Sequence, residues 1–213
     1  MKYAAFAFLL PLLLSLQASA QKGDEVNFTD AIQLDSSEYF LIPKLLDDNA
    51  PSVYGKGKGY VMWGNYSDIF FYNSATGTTK KLFGPTLSLI VPFHPRVYYG
   101  YGVKPPDTPP NFLPRHIVYL ARTENFNGDN ALDSDDPVYL YLSTRSGEQL
   151  KQITPKGMNV LSWIISRDKK FLLVKVQQDK NGNKKFGNGD DELYYRVDLA
   201  DDIAQVKCYQ IVL

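Results

Sequence analysis

The chain has 213 residues, in which 23 lysines and arginines balance 23 aspartates and glutamates, with two histidines and a single cysteine. A formally neutral chain lacks the basic surface that nucleic-acid binding needs, and one cysteine excludes a disulfide framework within a copy. Its stability therefore has to come from packing, for which the 44% hydrophobic and 14% aromatic content is sufficient.

Lys2, the apolar run from Ala4 to Leu16 and the small-x-small triplet Ala18-Ser-Ala20 have the pattern of a secretory leader over residues 1–20, with the mature chain starting at Gln21. The run is shorter than the roughly 20 residues a bilayer span needs. No cysteine follows the cleavage site to carry a lipid anchor. The expectation is an exported protein, periplasmic or extracellular, without a membrane span in its mature part. That part, residues 21–213, reads as one domain.

Beyond the leader, short runs rich in valine, isoleucine, tyrosine and phenylalanine alternate with glycine, proline, asparagine and aspartate, and no helical period is sustained. Ser36–Asp48 is ambiguous, with Tyr39, Phe40 and Leu41 strand-like and Leu45-Leu46 placed in a turn of helix. Strands are then expected at Gly59–Trp63, Asp68–Asn73, Lys80–Phe83, Leu87–Pro92, Arg96–Tyr101, His116–Ala121 and Val138–Ser143. Further strands follow at Leu150–Thr154, Val160–Ser166, Lys170–Gln177, Leu193–Leu199 and Gln205–Val212. The fold class is all-β.

Two twelve-residue polar loops, 54 residues apart, interrupt this series at Asn125–Asp136 and Asp179–Asp190. Oxygen-bearing side chains recur at loop positions 1, 3, 5 and 12, with an apolar residue, Leu132 or Phe186, at position 8. That is the donor spacing a hard cation such as calcium requires. In the first loop the candidate metal ligands are Asn125, Asn127, Asp129, the carbonyl of Ala131, Asp133 and Asp136. In the second they are Asp179, Asn181, Asn183, Lys185 at the carbonyl position and Asp190, with Asp191 an alternative to the last. Asn130 and Lys184 replace the glycine that usually makes the sharp turn at position 6, and Lys184 and Lys185 add positive charge. The flanks read as strands, so the loops are calcium-loop-like rather than EF-hands, and any ion would be structural. Metal-free turns in which Asn and Asp bond nearby amides account for the same composition.

Three segments repeat a hairpin: Asp68–Gly77 with Lys80–Phe83, Pro137–Gly147 with Leu150–Thr154, and, more loosely, Glu192–Asp202 with Val206. Hairpins repeated in this way point to blades stacked around an axis. Leu161-Ser-Trp163 followed by Arg167-Asp168-Lys169-Lys170, the apolar strand Phe171–Val174 and the closing Val197-Asp198-Leu199 resembles the blade pattern of TolB-type β-propellers. Arg167 and Lys169 depart from that pattern, which has proline and glycine there. The resemblance implies a propeller-like array and a protein partner in the cell envelope. The chain holds about three blades against the four or more of closed propellers, so an open or partial array, or a β-sandwich of hairpins, is the alternative.

No catalytic constellation stands out. His94 and His116 lie in no metal-ligand spacing, and Gly55–Gly59 lacks phosphate-loop spacing. Tyr98, Tyr99 and Tyr101, and Trp63 with Tyr66, offer stacking surfaces for a glycan or ordinary strand packing. Cys208 reads as a buried strand residue. The reading is a non-enzymatic binding or scaffold module with structural calcium loops. The alternative is a glycan-active hydrolase, using a carboxylate pair from the acidic runs Asp133–Asp136 and Asp190–Glu192, or a glycan-binding surface.

Overall fold

The computed structural model describes residues 26–35, 37–46, 66–86, 88–91 and 112–213. Over these the chain is all-β. The first strands are β1 (Ile32–Gln33), β2 (Tyr39–Leu45), β3 (Tyr66–Asn73), β4 (Thr78–Lys81), β5 (Leu89–Ile90) and β6 (His116–Arg122). They are followed by β7 (Tyr139–Thr144), β8 (Lys151–Gln152), β9 (Met158–Ile165), β10 (Phe171–Gln178), β11 (Asp191–Asp198) and β12 (Lys207–Ile211). A single 3-10 turn at Ile203–Gln205, capped by the Asp202 side chain on the Ala204 N–H, precedes β12.

The three repeated hairpins are β3–β4, β7–β8 and β11–β12, all antiparallel. Gly77 and Gly147 turn the first two with φ near +70° and +75°, a conformation glycine adopts without steric cost. The helical turn expected at Leu45-Leu46 is not formed, because Leu45 ends a strand that pairs with β3 along its whole length. Cross-strand pairing overrides a weak local preference there. Pro43 is tolerated in β2 because its nitrogen faces the thinly paired N-terminal side, where its carbonyl accepts the Thr29 N–H at 3.0 Å. The expected strands Gly59–Trp63 and Arg96–Tyr101 lie outside the described residues.

Two antiparallel sheets result, and neither closes on itself. The larger runs β1-β2-β3-β5-β6-β7-β8 with β4 beside β3, and the smaller runs β12-β11-β10-β9. Within the larger sheet, β5 is a narrow joint with one residue pair to β3 and two to β6. On either side of that joint the halves pack on each other. Leu41, Ile69 and Phe71 from β2–β3 share a core with Ile117, Tyr119, Tyr139 and Tyr141 from β6–β7. The opposite face of β6–β7, carrying Val118, Leu120, Leu140 and Leu142, shares a second core with Trp163, Leu172, Val174 and Val197 of the smaller sheet.

The hairpin β6–β7 is therefore a middle layer buried on both faces. Its sequences HIVYLAR and YLYLST are accordingly near-continuous apolar runs. In β10, where only one face is covered, burial alternates residue by residue. At about 1.5–3 kcal/mol for each fully buried large apolar side chain, these two cores dominate the energetics.

At Gly147 the first and middle layers approach closely. A Cβ placed there would lie 2.6–2.8 Å from ring carbons of Phe71, and the residue has a φ of +75°. Gly147→Ala is expected to cost on the order of 2–4 kcal/mol through overpacking and left-handed strain, read as a lower urea midpoint. Gly77→Ala shares the positive φ but meets nothing within 4 Å, so its smaller loss isolates the strain component.

Candidate cation loops

The two polar loops connect β6 to β7 and β10 to β11, and they adopt one hydrogen-bonded conformation from largely different residues. The side chain at position 1 accepts the N–H at position 4, as Asn125 Oδ1 from Gly128 at 2.7 Å and Asp179 Oδ1 from Gly182 at 2.8 Å. Position 3 accepts from position 5: Asn127 from Asp129 at 3.0 Å, and Asn181 from Asn183 at 2.9 Å. Position 5 accepts from position 7: Asp129 from Ala131 at 2.9 Å, and Asn183 from Lys185 at 2.8 Å. These are successive Asx turns, which explains why Asn and Asp alternate with other residues in both loops.

The position-12 carboxylates close each loop. Asp136 accepts the Phe126 N–H at 2.7 Å with one oxygen and the Asp133 N–H at 3.1 Å with the other. Asp190 does the same with Lys180 at 3.2 Å and Gly187 at 2.9 Å. Position 12 of the second loop is therefore Asp190. Asp191 instead opens β11 and pairs with the Lys180 ammonium at 2.9 Å. Backbone at positions 4 and 6 is left-handed in both loops, with φ of 79° and 67° at Gly128 and Asn130, and 72° and 59° at Gly182 and Lys184. A lysine held there departs from ordinary preference, and its N–H is donated to Asp179 Oδ2 at 2.8 Å.

Burial separates the two loops. Asp136 is only 2% exposed, and the Arg122 guanidinium bonds its backbone carbonyl at 2.9 Å. In the second loop Asn181, Asn183 and Lys185 are exposed and Asp179 and Asp190 are half-buried. The N–H of Ala131 and the carboxamide of Asn127 hold the Asp129 carboxyl below the usual range, so it stays ionised. Asp133 turns its carboxylate to the Asp135 N–H at 2.9 Å.

Each sp² oxygen has two lone pairs. At positions 1, 3, 5 and 12 the N–H bonds leave at least one lone pair per side chain, which is the hard-oxygen set that calcium takes. Among the described residues no group of three or more His, Cys, Asp or Glu converges as a metal centre. The cation reading therefore depends on the asparagine and backbone oxygens as well as the carboxylates.

The fold also brings the two loops against each other, which sequence reasoning missed. Phe126 at position 2 of the first loop packs on Phe186 at position 8 of the second, ring centroids 5.5 Å apart. Spacing identifies Phe186 only as the apolar residue at position 8; the register of the assembled sheets reveals its partner. Equally invisible was the brace below the first loop. The Tyr139 hydroxyl donates to Glu124 at 3.0 Å and accepts the Gly157 N–H at 3.0 Å. Burial, together with Glu124, pushes that hydroxyl above the ordinary tyrosine range.

The remaining candidates separate cleanly. His116 is a buried link between sheets, its Nε2 donating to the Ala200 carbonyl at 2.6 Å while Nδ1 has no hydrogen-bond partner. A carbonyl can only accept, which fixes the proton on Nε2. Tyr66, which with Trp63 could be read as a stacking surface or as ordinary strand packing, is core at 2% exposure, in line with the packing reading. Cys208 is half-buried in β12 against the inter-sheet core, and burial pushes its thiol up to about 11. His94, Gly55–Gly59, Trp63 and Tyr98–Tyr101 lie outside the described residues. No helix among the described residues is long and apolar enough to cross a membrane. The chain matches no family model, no curated protein and no solved structure.

Proposed function

We propose that the protein is an exported, non-enzymatic binding scaffold. Its β-layers stack as blades of an open, TolB-like propeller, and its two polar loops each take a structural calcium ion. A protein of the cell envelope is the partner this reading implies. The observation that carries the calcium assignment is the recurrence of one ladder, from position 1 to position 12, in two loops whose intervening residues differ. Generic turns have no reason to share a twelve-residue register, whereas ligation of one kind of ion selects it. The stacked-blade reading is supported by the middle layer with two buried faces.

Calcium in these loops has an architectural role. The loops join β6 to β7 and β10 to β11, so an ion in each fixes where the strands of two successive layers begin. The Phe126–Phe186 contact then ties the two loop ends of the stack together. The acidic runs considered for glycoside hydrolysis are engaged locally: Asp136 and Asp190 by backbone N–H groups, Asp191 by Lys180 and Glu192 by Lys175. Calorimetric titration of the chelator-treated chain is expected to show about two calcium ions bound per copy. Asp129→Ala is expected to lose one of them, and heat-free titrations of the intact chain would disprove the assignment.

A further inference from the structure

We propose that Asn181 is a self-modifying residue: the amide nitrogen of Gly182 attacks the Asn181 carboxamide carbon, with Asp179 as the base, and position 3 of the second loop becomes a carboxylate. The proposal goes beyond the calcium assignment and needs no bound ion. The chain's Asn-Gly pairs all fall within the two loops, at Asn127-Gly128, Asn181-Gly182 and Asn188-Gly189. Glycine after asparagine leaves the main-chain nitrogen unshielded by a side chain, so the five-membered ring that joins this nitrogen to the asparagine Cγ closes readily. The three pairs differ in what holds the reacting atoms.

At Asn181 the arrangement is that of general-base catalysis. The Gly182 N–H donates to Asp179 Oδ1 at 2.8 Å, inside the reach of about 2.6–3.2 Å over which a base takes a proton. Asn181 Oδ1, where negative charge collects as the nitrogen attacks, accepts the Asn183 N–H at 2.9 Å. Asp179 is itself fixed by the Asn183 N–H at 3.2 Å and, through Oδ2, by the Lys184 N–H at 2.8 Å. Asn181, Gly182 and Asn183 are exposed, so water reaches them. In the reaction the bond from the Gly182 nitrogen to Asn181 Cγ forms and Asp179 takes the nitrogen's proton. The Cγ–Nδ2 bond breaks, and ammonia leaves with that proton. Water then opens the cyclic imide. Opening at Cγ gives aspartate, opening at the main-chain carbon gives isoaspartate, and either product carries a carboxylate where a neutral carboxamide stood.

Asn127 has the same register without the base. The Gly128 N–H donates at 2.7 Å to Asn125 Oδ1, a carboxamide oxygen that holds the proton without taking it, and the Asn127 amide group is held by Asp129 Oδ2 at 2.9 Å. Asn188 is exposed, and neither its side chain nor the Gly189 N–H makes a hydrogen bond among the described residues. It therefore reports the uncatalysed rate of an Asn-Gly pair in the same chain.

The test is peptide mapping by mass spectrometry of the freshly purified full chain, incubated in chelator at neutral pH and sampled over time. It reads, at each pair, the mass gained when NH2 is replaced by OH. Asn181 is expected to convert faster than Asn188 and roughly tenfold or more faster than Asn127. Asp179→Asn, which keeps an acceptor for the Gly182 N–H but removes the base, is expected to slow Asn181 to the Asn127 rate and leave Asn188 unchanged. Asn125→Asp installs the base in the first loop and is expected to raise the Asn127 rate. An Asn181 rate no higher than that of Asn188, or one indifferent to Asp179→Asn, overturns the proposal. Should Asp179→Asn loosen its loop, Asn125→Asp decides, and an unchanged Asn127 rate then overturns the proposal. Because the rates are read in chelator, their failure leaves the calcium assignment standing, and a chain that binds no calcium leaves the self-modification standing.

Discussion

Replacing Asp136 with alanine is expected to remove on the order of 2–5 kcal/mol from the unfolding free energy, more than any other single change in the loops. The carboxylate is 2% exposed and satisfies two backbone donors, the N–H groups of Phe126 and Asp133. Alanine leaves both half-buried donors without their acceptor and empties a buried side-chain position, and an unmet buried donor costs about 1–3 kcal/mol. Asp136→Asn should lose roughly half as much, because its carbonyl can still accept from one of the two. Asp190→Ala removes the matching bonds in the second loop, where both are exposed, and should cost less than about 1.5 kcal/mol since water replaces the lost acceptor. Denaturant unfolding of the three variants gives the ranking. Equal losses for Asp136→Ala and Asp190→Ala would contradict the burial difference between the loops.

The second large effect concerns the middle layer. Ile117 and Leu140 are both fully buried but point to opposite faces, Ile117 into the core with β2–β3 and Leu140 into the core with the smaller sheet. Each truncation to alanine is expected to cost about 2–5 kcal/mol, from lost transfer energy plus the cavity left behind. Because they act on separate cores the costs should add to within about 0.5 kcal/mol. The double variant would then exhaust most of a typical stability of about 5–15 kcal/mol. Ile164→Ala, on the exposed face, should change stability by about 0.5 kcal/mol or less. If only one of Ile117→Ala and Leu140→Ala proved costly, the middle layer would have a single core face and the stack would reduce to a two-layer sandwich.

These features differ in how far the sequence discloses them. The repeated hairpins were legible because a turn glycine follows a strand-rich apolar and aromatic run in Asp68–Gly77 and Pro137–Gly147, and β3–β4 and β7–β8 form there. The two-faced burial of β6 was available as a signal in the unbroken apolar run HIVYLA, which an alternation-based reading treats as just another strand. β1, two residues long, has no pattern to detect, and its existence depends on pairing with β2.

In the candidate site, spacing alone picked out the polar loops and their side-chain positions. It could not choose between Asp190 and Asp191, because that depends on which carboxylate reaches back to the Lys180 and Gly187 amides. Nor could it place Phe126 against Phe186, or His116 against Ala200, contacts between residues 60 and more than 80 positions apart in the chain. Long-range contacts of this kind are properties of how the layers assemble, and no local pattern encodes them.

The most direct test of the calcium-braced scaffold is the thermal unfolding of the chain with calcium and with chelator, alongside Asp129→Ala. Ligand at about a hundred times its dissociation constant adds about 2.7 kcal/mol per site, which for a domain of this size is a rise of about 5–10 °C in Tm. The account predicts that rise for the parent chain and a smaller one for Asp129→Ala, with the two melting together in chelator apart from the loss of the Ala131 and Asn127 hydrogen bonds. Identical parent melts with and without calcium would contradict it and leave both loops as self-bonded turns.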